Sequence, residues 1–158
     1  MDNVFIEGVG STTFGQHSNR TAVDLAVEAS LNAIEDAKVD LEKIGTVYLG
    51  NFVSGVLTGQ EVLAGLVADK LGISGVPATK VEGACASGGM AFRHACMAVA
   101  SGTCEVALAV GVEKMTHAKT SLVTEALNCA LDHEVDAASG LTYPGLFALA
   151  VSYTHLTL

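Results

Sequence analysis

The stretch "ATKVEGACASGGMAFRHACMAVASGTCEVALAVGV", Ala78 to Val112, decides the fold. Its opening, "ATKVEGA", reads as a strand, and its close, "VALAVGV", is an apolar run of the kind found in a buried strand. Between them the residues from Cys85 to about Ala100 read as a helix, which "SGTCE" ends. A strand, a helix and a second strand form a βαβ unit, whose strands must be parallel and whose crossover is expected to be right-handed.

Upstream the same alternation continues. "TVYLGNF" (46–52) reads as a strand, followed by "VLAGLVADKLG", a helix stopped by Gly72. Thr58 and Glu61 stand before that helix at the [ST]-x-x-[DE] spacing of a capping box, as Thr21 and Asp24 do before "AVDLAVEASLNAIEDAKV". In the earlier helix Ala22, Leu25, Ala26, Ala29, Ala33, Ile34 and Ala37 recur at three- and four-residue intervals, giving one apolar face. "VFIEGVG" (4–10) reads as the first strand and "STTFGQHSNR" as a polar loop. The expectation is an α/β fold, βαβαβαβ, with a largely parallel sheet. After "EKMTHAKT" the pattern dissolves into short helical pieces and turns, as at the start of an inserted loop domain. We therefore expect an α/β unit over 1–116 and the beginning of a loop domain over 117–150. The final "VSYTHLTL" (151–158) breaks from the Ala/Gly-rich style before it and is the translation of a common sequencing-adapter end. It is expected to be a non-native tail, so Tyr153 and His155 are not site candidates.

Composition narrows the function. The chain has 158 residues, half of them apolar, enough for one core, since a domain of this size buries roughly 68–70% of its unfolded surface. With 8 basic against 17 acidic residues and a formal charge of −9, it has no basic stripe, and nucleic acid is not an expected partner. The N-terminus lacks the positive charge and long apolar core of a signal peptide, and no apolar run is long enough to span a bilayer. Cys85, Cys96, Cys104 and Cys129 form no C-x-x-C pair, so they read as reduced thiols in a cytoplasmic protein. His94 and Cys96 are the nearest approach to a metal pair, and no metal site is expected.

The helix after Cys85 is unusual. At helical spacing Cys85, Phe92, Cys96 and Val99 share one face, and Ser87, His94 and Ser101 make only a narrow polar stripe opposite. A helix apolar almost all round is one buried on most sides. It expects more protein around it than this chain supplies.

Its first residues carry the chemistry. The thiolate is the nucleophilic form of cysteine, and a helix start presents unpaired N–H groups that favour an anion. A strand-to-helix junction at the C-terminal edge of a parallel sheet is also where such folds bind ligands. Gly88 and Gly89 let a substrate come close to the backbone, which makes them candidate binding residues. The setting is that of a nucleophile elbow with sulfur for oxygen, and it selects Cys85 as the candidate nucleophile. A buried, inert cysteine is the competing reading, and the better one for Cys96 and Cys104. His94 lies nine positions along the same helix, about 13 Å away, too far to serve as a base for Cys85. His117, at a strand end, is the histidine that could face the cleft, while His17 and His133 read as loop residues.

The run "VEGACASGGMAFRHACMAVASGTCEVALAVGVEKMTH", together with "GVGSTTFGQH" and "TYPGLFALA", resembles the N-terminal half of thiolases. The likeness is closest to the branch of archaeal acetyl-CoA acetyltransferases and sterol-carrier-protein-type thiolases, and it covers residues 3–150. The resemblance implies a thiolase-like fold, here truncated, and an acyl-CoA acyltransferase. Cys85 would take an acyl group from a coenzyme A thioester, for Claisen condensation of two acetyl-CoA or reverse thiolysis of a 3-ketoacyl-CoA. The backbone N–H of Cys85 would contribute to an oxyanion hole. Coenzyme A thioesters would be substrates, with no further cofactor. The resemblance also implies a homo-oligomer, and in the archaeal branch a synthase and an OB-fold/zinc-ribbon protein as partners. Family members are more than twice as long, and their activating histidine and second acid/base residue lie in the half absent here, so the fragment should not turn over. A β-ketoacyl synthase and a non-catalytic thiolase-like scaffold subunit remain alternatives, the "GVEKMT" strand end and the intact cysteine motif speaking against them.

Overall fold

Helix α1 (Ala22–Ala37) starts where the sequence places it. Thr21 Oγ1 accepts the Asp24 N–H at 3.1 Å and the Asp24 carboxylate accepts the Thr21 N–H at 2.8 Å, a complete capping box. Asp24 also receives Lys70 Nζ at 2.6 Å from helix α3 (Leu63–Leu71). The lysine, then the Thr21 N–H and hydroxyl, hold the Asp24 carboxyl well below the usual carboxylate range. A depressed folded-state pKa gives stability that is present above the unfolded value, about 4, and lost as pH falls toward the folded one. Asp24→Asn is therefore expected to weaken the chain at neutral pH and to flatten its loss of stability below about pH 4. Denaturant titrations at successive pH values check this, and an unchanged acid slope refutes it.

The computed structural model describes residues 3–156 in two units that meet between His117 and Ala118. In the first, strands β1 (Ile44–Gly50), β2 (Ala78–Val81) and β3 (Val106–Gly111) form a wholly parallel sheet in the order β2-β1-β3. Leu49 lies opposite Lys80 on one side and Val110 on the other, and the register shifts once, between Ile44 and Thr46. α1 and α3 cover one face. Val47 and Leu49, both fully buried, join Leu63, Val67, Leu71 and Val23 there in the main core. The other face carries helix α4 (Ser87–Ala100): the Tyr48 ring meets the His94 ring at 5.6 Å, and Ala91, Ala95 and Ala98 are buried. A short helix, α2 (Ser54–Thr58), follows β1.

Three expectations are corrected. The run 4–10 is not a strand, so among the described residues the sheet has three strands and not the four of a βαβαβαβ unit. The run lies along α1 instead: a Cβ on Gly8 would come within 2.4 Å of Ala33 O, one on Gly10 within 2.3 Å of Ala29 O, and the Val9 N–H binds the Asp36 carboxylate at 2.9 Å. Thr58 does not cap α3. It closes α2, its hydroxyl donating to Ser54 O at 2.8 Å, while Glu61 pairs with Lys80 and α3 starts after Val62 without a side-chain cap. Ser87, placed by helical spacing on the polar stripe, is 4% exposed, whereas Phe92 of the expected apolar face is 48% exposed. The small residues, not the large ones, press on the sheet, because only they let the α4 backbone approach it closely.

The second unit contains α5 (Thr120–Asn128), a 3₁₀ turn (Ala137–Ser139) and α6 (Tyr143–Leu156). Asn128 Oδ1 accepts the Tyr143 N–H at 2.8 Å, and the Tyr143 and Phe147 rings meet edge to face at 5.2 Å. α6 runs without a break across Ala150. Among the described residues no helix is long and apolar enough to cross a membrane.

Candidate active site

Three loops leave the C-terminal edge of the sheet, one from each strand. The β2 loop is short. Glu82 and Gly83 lead into a 3₁₀ turn, Ala84–Ala86, and α4 begins at Ser87, so Cys85 sits in the turn itself, two residues before the helix, with an exposed side chain. Ala84 adopts φ 48°, the left-handed region, which costs a residue with a Cβ about 1–2 kcal/mol.

That conformation is held by side chains on both sides. The Glu82 carboxylate accepts the Ala84 N–H. The Ser87 hydroxyl donates to Ala84 O at 2.7 Å and accepts the Gly83 N–H at 3.0 Å, and the Ala86 N–H donates to Gly83 O at 2.9 Å. The turn rests on two strand-end glycines. A Cβ on Gly50 would lie 2.3 Å from Ser87 O and 2.6 Å from Gly88 N, and one on Gly111 3.6 Å from Gly88 Cα. β1 thus ends in glycine because the first turn of α4 occupies the space a side chain would need.

The β1 and β3 loops brace each other beside it. Asn51, 1% exposed, has Nδ2 at 2.8 Å from Ser54 Oγ and from Val112 O and at 2.9 Å from Glu113 Oε1. Glu113 Oε2 accepts the Phe52 N–H at 2.9 Å and the Val53 N–H at 3.2 Å. The glutamate of "GVEKM" is thus occupied in fixing the rim of the sheet.

Gly88 and Gly89 are both exposed, and nothing lies within 4 Å of where a Cβ would stand on either. Their openness leaves the first turn of α4 approachable beside Cys85. Three histidines each bond a backbone carbonyl through one ring nitrogen: His94 Nδ1 donates to Met90 O at 2.7 Å, His117 Nε2 to Leu57 O at 3.2 Å, and His17 Nε2 to Thr13 O at 2.8 Å. Cys96 and Cys104 are half-buried, and burial pushes the Cys104 thiol up from its usual range. Cys129 is exposed in the second unit, where its thiol faces Glu125 O at 3.8 Å. A cavity of about 530 Å³ lies elsewhere, between residues 3–10, β3 and the Phe92 and Cys96 side of α4, and Cys85 does not line it.

Sequence reasoning missed Ser87, Gly50, Asn51 and Glu113 as parts of this site. Only Gly50 left a signal, a glycine closing an apolar strand, which marks close backbone approach.

An exposed cysteine on a braced strand-to-helix turn belongs to several enzyme families, and comparison separates them. The family described as Thiolase, N-terminal domain, matches residues 4–157. The chain belongs to the thiolase family. It is 43% identical over 149 residues to the acetyl-CoA acetyltransferase of Methanocaldococcus jannaschii, covering 94% of this chain and 38% of that protein. It is 30% identical over 139 residues to human sterol carrier protein 2, covering 86% and 25%. In structure this thiolase chain is similar to the Acat5 thiolase of Ascaris suum, solved in complex with coenzyme A, with a TM-score of 0.61, 21% identity and coverage of 71% and 29%. The fold class expected from sequence, α/β with a parallel sheet, is thus shown. The chain spans 38% of the length of the archaeal relative.

Proposed function

We propose that the complete protein is a thiolase-type acyl-CoA acyltransferase with Cys85 as its nucleophile. The observation that carries the reading is the exposed thiol of Cys85 on a turn braced by the Glu82 and Ser87 side chains, at the edge of a parallel sheet, in a chain of this family. The Cys85 sulfur, as thiolate, attacks the carbonyl carbon of acetyl-CoA. A tetrahedral intermediate forms and collapses with expulsion of coenzyme A thiolate, which takes up a proton, leaving an acetyl thioester on Cys85. A second acetyl-CoA, having lost a methyl proton to a base, attacks that thioester through carbon. Acetoacetyl-CoA forms and the Cys85 thiolate is released; coenzyme A attack on a 3-ketoacyl-CoA runs the sequence backwards. Gly88 and Gly89 leave room for the thioester against the first turn of α4, and the Cys85 N–H serves as one donor to the intermediate's oxyanion.

We place the bases in polypeptide beyond this chain, as the resemblance to thiolases implies for the activating histidine and the second acid/base residue, and the chain covers 38% of the archaeal relative's length. The 158-residue chain is accordingly inactive alone. Residues 117–150 are read as the start of a loop domain and 151–158 as a non-native tail. The half-exposed Phe92 and Met97 of α4 support further protein packing on this helix, whether from the same polypeptide or from the second copy of a homo-oligomer. A synthase and an OB-fold/zinc-ribbon partner, and a cytoplasmic location in keeping with four thiol cysteines, complete the reading.

The experiment is direct. The full-length protein is mixed with acetyl-CoA, quenched in acid, digested and mapped by mass spectrometry. An acetyl group on the Cys85 peptide is expected. Its absence from that peptide, in a preparation that is folded, refutes the nucleophile and favours a scaffold subunit.

A further inference from the structure

We propose that Ser87 is a positioning residue for the nucleophile, holding Ala84 in its left-handed conformation and thereby setting where the Cys85 sulfur stands. The inference rests on the reading of Cys85 as the nucleophile and adds the device that aims it.

The sulfur's position is fixed by the backbone immediately before it, and that backbone is in a conformation alanine does not choose. Ala84 at φ 48° and Lys38 at φ 54° are the non-glycine residues with positive φ among those described. Lys38 ends a helix, where that geometry is routine, and its N–H finds Glu35 O and Ile34 O. Ala84 ends nothing; it opens the turn that carries Cys85. Left to itself it would return to negative φ and swing Cys85 away from the start of α4.

Ser87 opposes that return. One hydroxyl holds both ends of the strained link, accepting from Gly83 N–H and donating to Ala84 O. At an N-cap a serine turns its oxygen forward to later N–H groups, but the N-cap of α4 is Ala86 and Ser87 is the first helical residue. Here it reaches backward, and α4 has no side-chain cap. Ser87 is itself pinned: it is buried, and Gly50 leaves its carbonyl lying where a strand side chain would otherwise stand. The chain of constraint therefore runs from β1 through Ser87 to Ala84 and so to Cys85.

The test is a mutant cycle read by iodoacetamide alkylation at neutral pH in the full-length protein, with labelling of each cysteine peptide followed by mass spectrometry. Ser87→Ala is expected to slow labelling of Cys85 about tenfold. Ala84→Gly removes the penalty for positive φ, so in the double variant the clasp is no longer required, and the rate should return to within about threefold of the unmodified protein's. A serine needed merely to fill space would not be rescued by a glycine three residues earlier. An unchanged rate in Ser87→Ala, or a loss that Ala84→Gly does not recover, overturns the proposal. If Ser87→Ala does not fold, the double variant decides: recovery of a folded protein with fast Cys85 labelling supports the clasp, and continued failure overturns it. Failure of the underlying reading looks different. Equal labelling of Cys85 and the exposed Cys129 in the unmodified protein sinks the nucleophile, independently of the ratios among variants.

Discussion

Replacing Cys85 with alanine should reduce acetyl transfer by the full-length protein about a thousandfold or more, the scale seen when a covalent nucleophile is removed. The effect follows from chemistry. A covalent route divides one difficult acyl transfer into two easier ones, and alanine offers no atom to carry the acyl group between them. The same change should barely touch folding. Cys85 is exposed, and surface substitutions of this kind stay within about 0.5 kcal/mol. Condensation or thiolysis rates, together with a urea unfolding curve for the same preparation, check both halves. Activity within tenfold of the unmodified protein would refute Cys85 as nucleophile. Lost activity accompanied by unfolding would instead make Cys85 a packing residue.

The second large effect is on stability. Leu49 lies in the central strand with 0% of its surface exposed, in a core shared with Val47, Leu63 and Val67. Leu49→Ala removes its burial and leaves a cavity that neighbours on α1 and α3 fill only in part, at a cost of about 2–5 kcal/mol. Total stability of a typical domain is only about 5–15 kcal/mol, so the urea midpoint should fall sharply. Leu66, on α3 but 38% exposed, is the control, and Leu66→Ala should cost less than Leu49→Ala in the same assay. Equal costs would mean that the sheet face against α1 and α3 is not the main core.

What was legible in the sequence and what was not differ in the range of the interaction involved. The alternation of apolar runs with helical spacing from Thr46 to Val112 determined the parallel α/β class. The Thr21/Asp24 box gave α1 its start, and "ACASGG" put a reactive residue type at a strand-to-helix junction. Each of these is a local pattern, satisfied by residues within a few positions of one another. What was not legible depended on partners far along the chain. The run 4–10 has a strand's composition, but its glycines fit the backbone of α1 and its Val9 N–H finds Asp36. Thr58 and Glu61 have a capping box's spacing, yet Glu61 binds Lys80 on β2 and Thr58 closes the helix before it.

At the site itself, the sequence alone singled out Cys85 as the candidate nucleophile, from its residue type and its place between a strand and a helix. Only the tertiary structure decided what holds it. The Ser87 hydroxyl turns backward to Gly83 and Ala84 while its carbonyl lies against Gly50, thirty-seven positions earlier, and Glu113 serves Asn51 and the 52–53 backbone because β1 and β3 end side by side. Periodicity reports which way a side chain faces along its own element. Which backbone waits there is settled when strands distant in sequence pair.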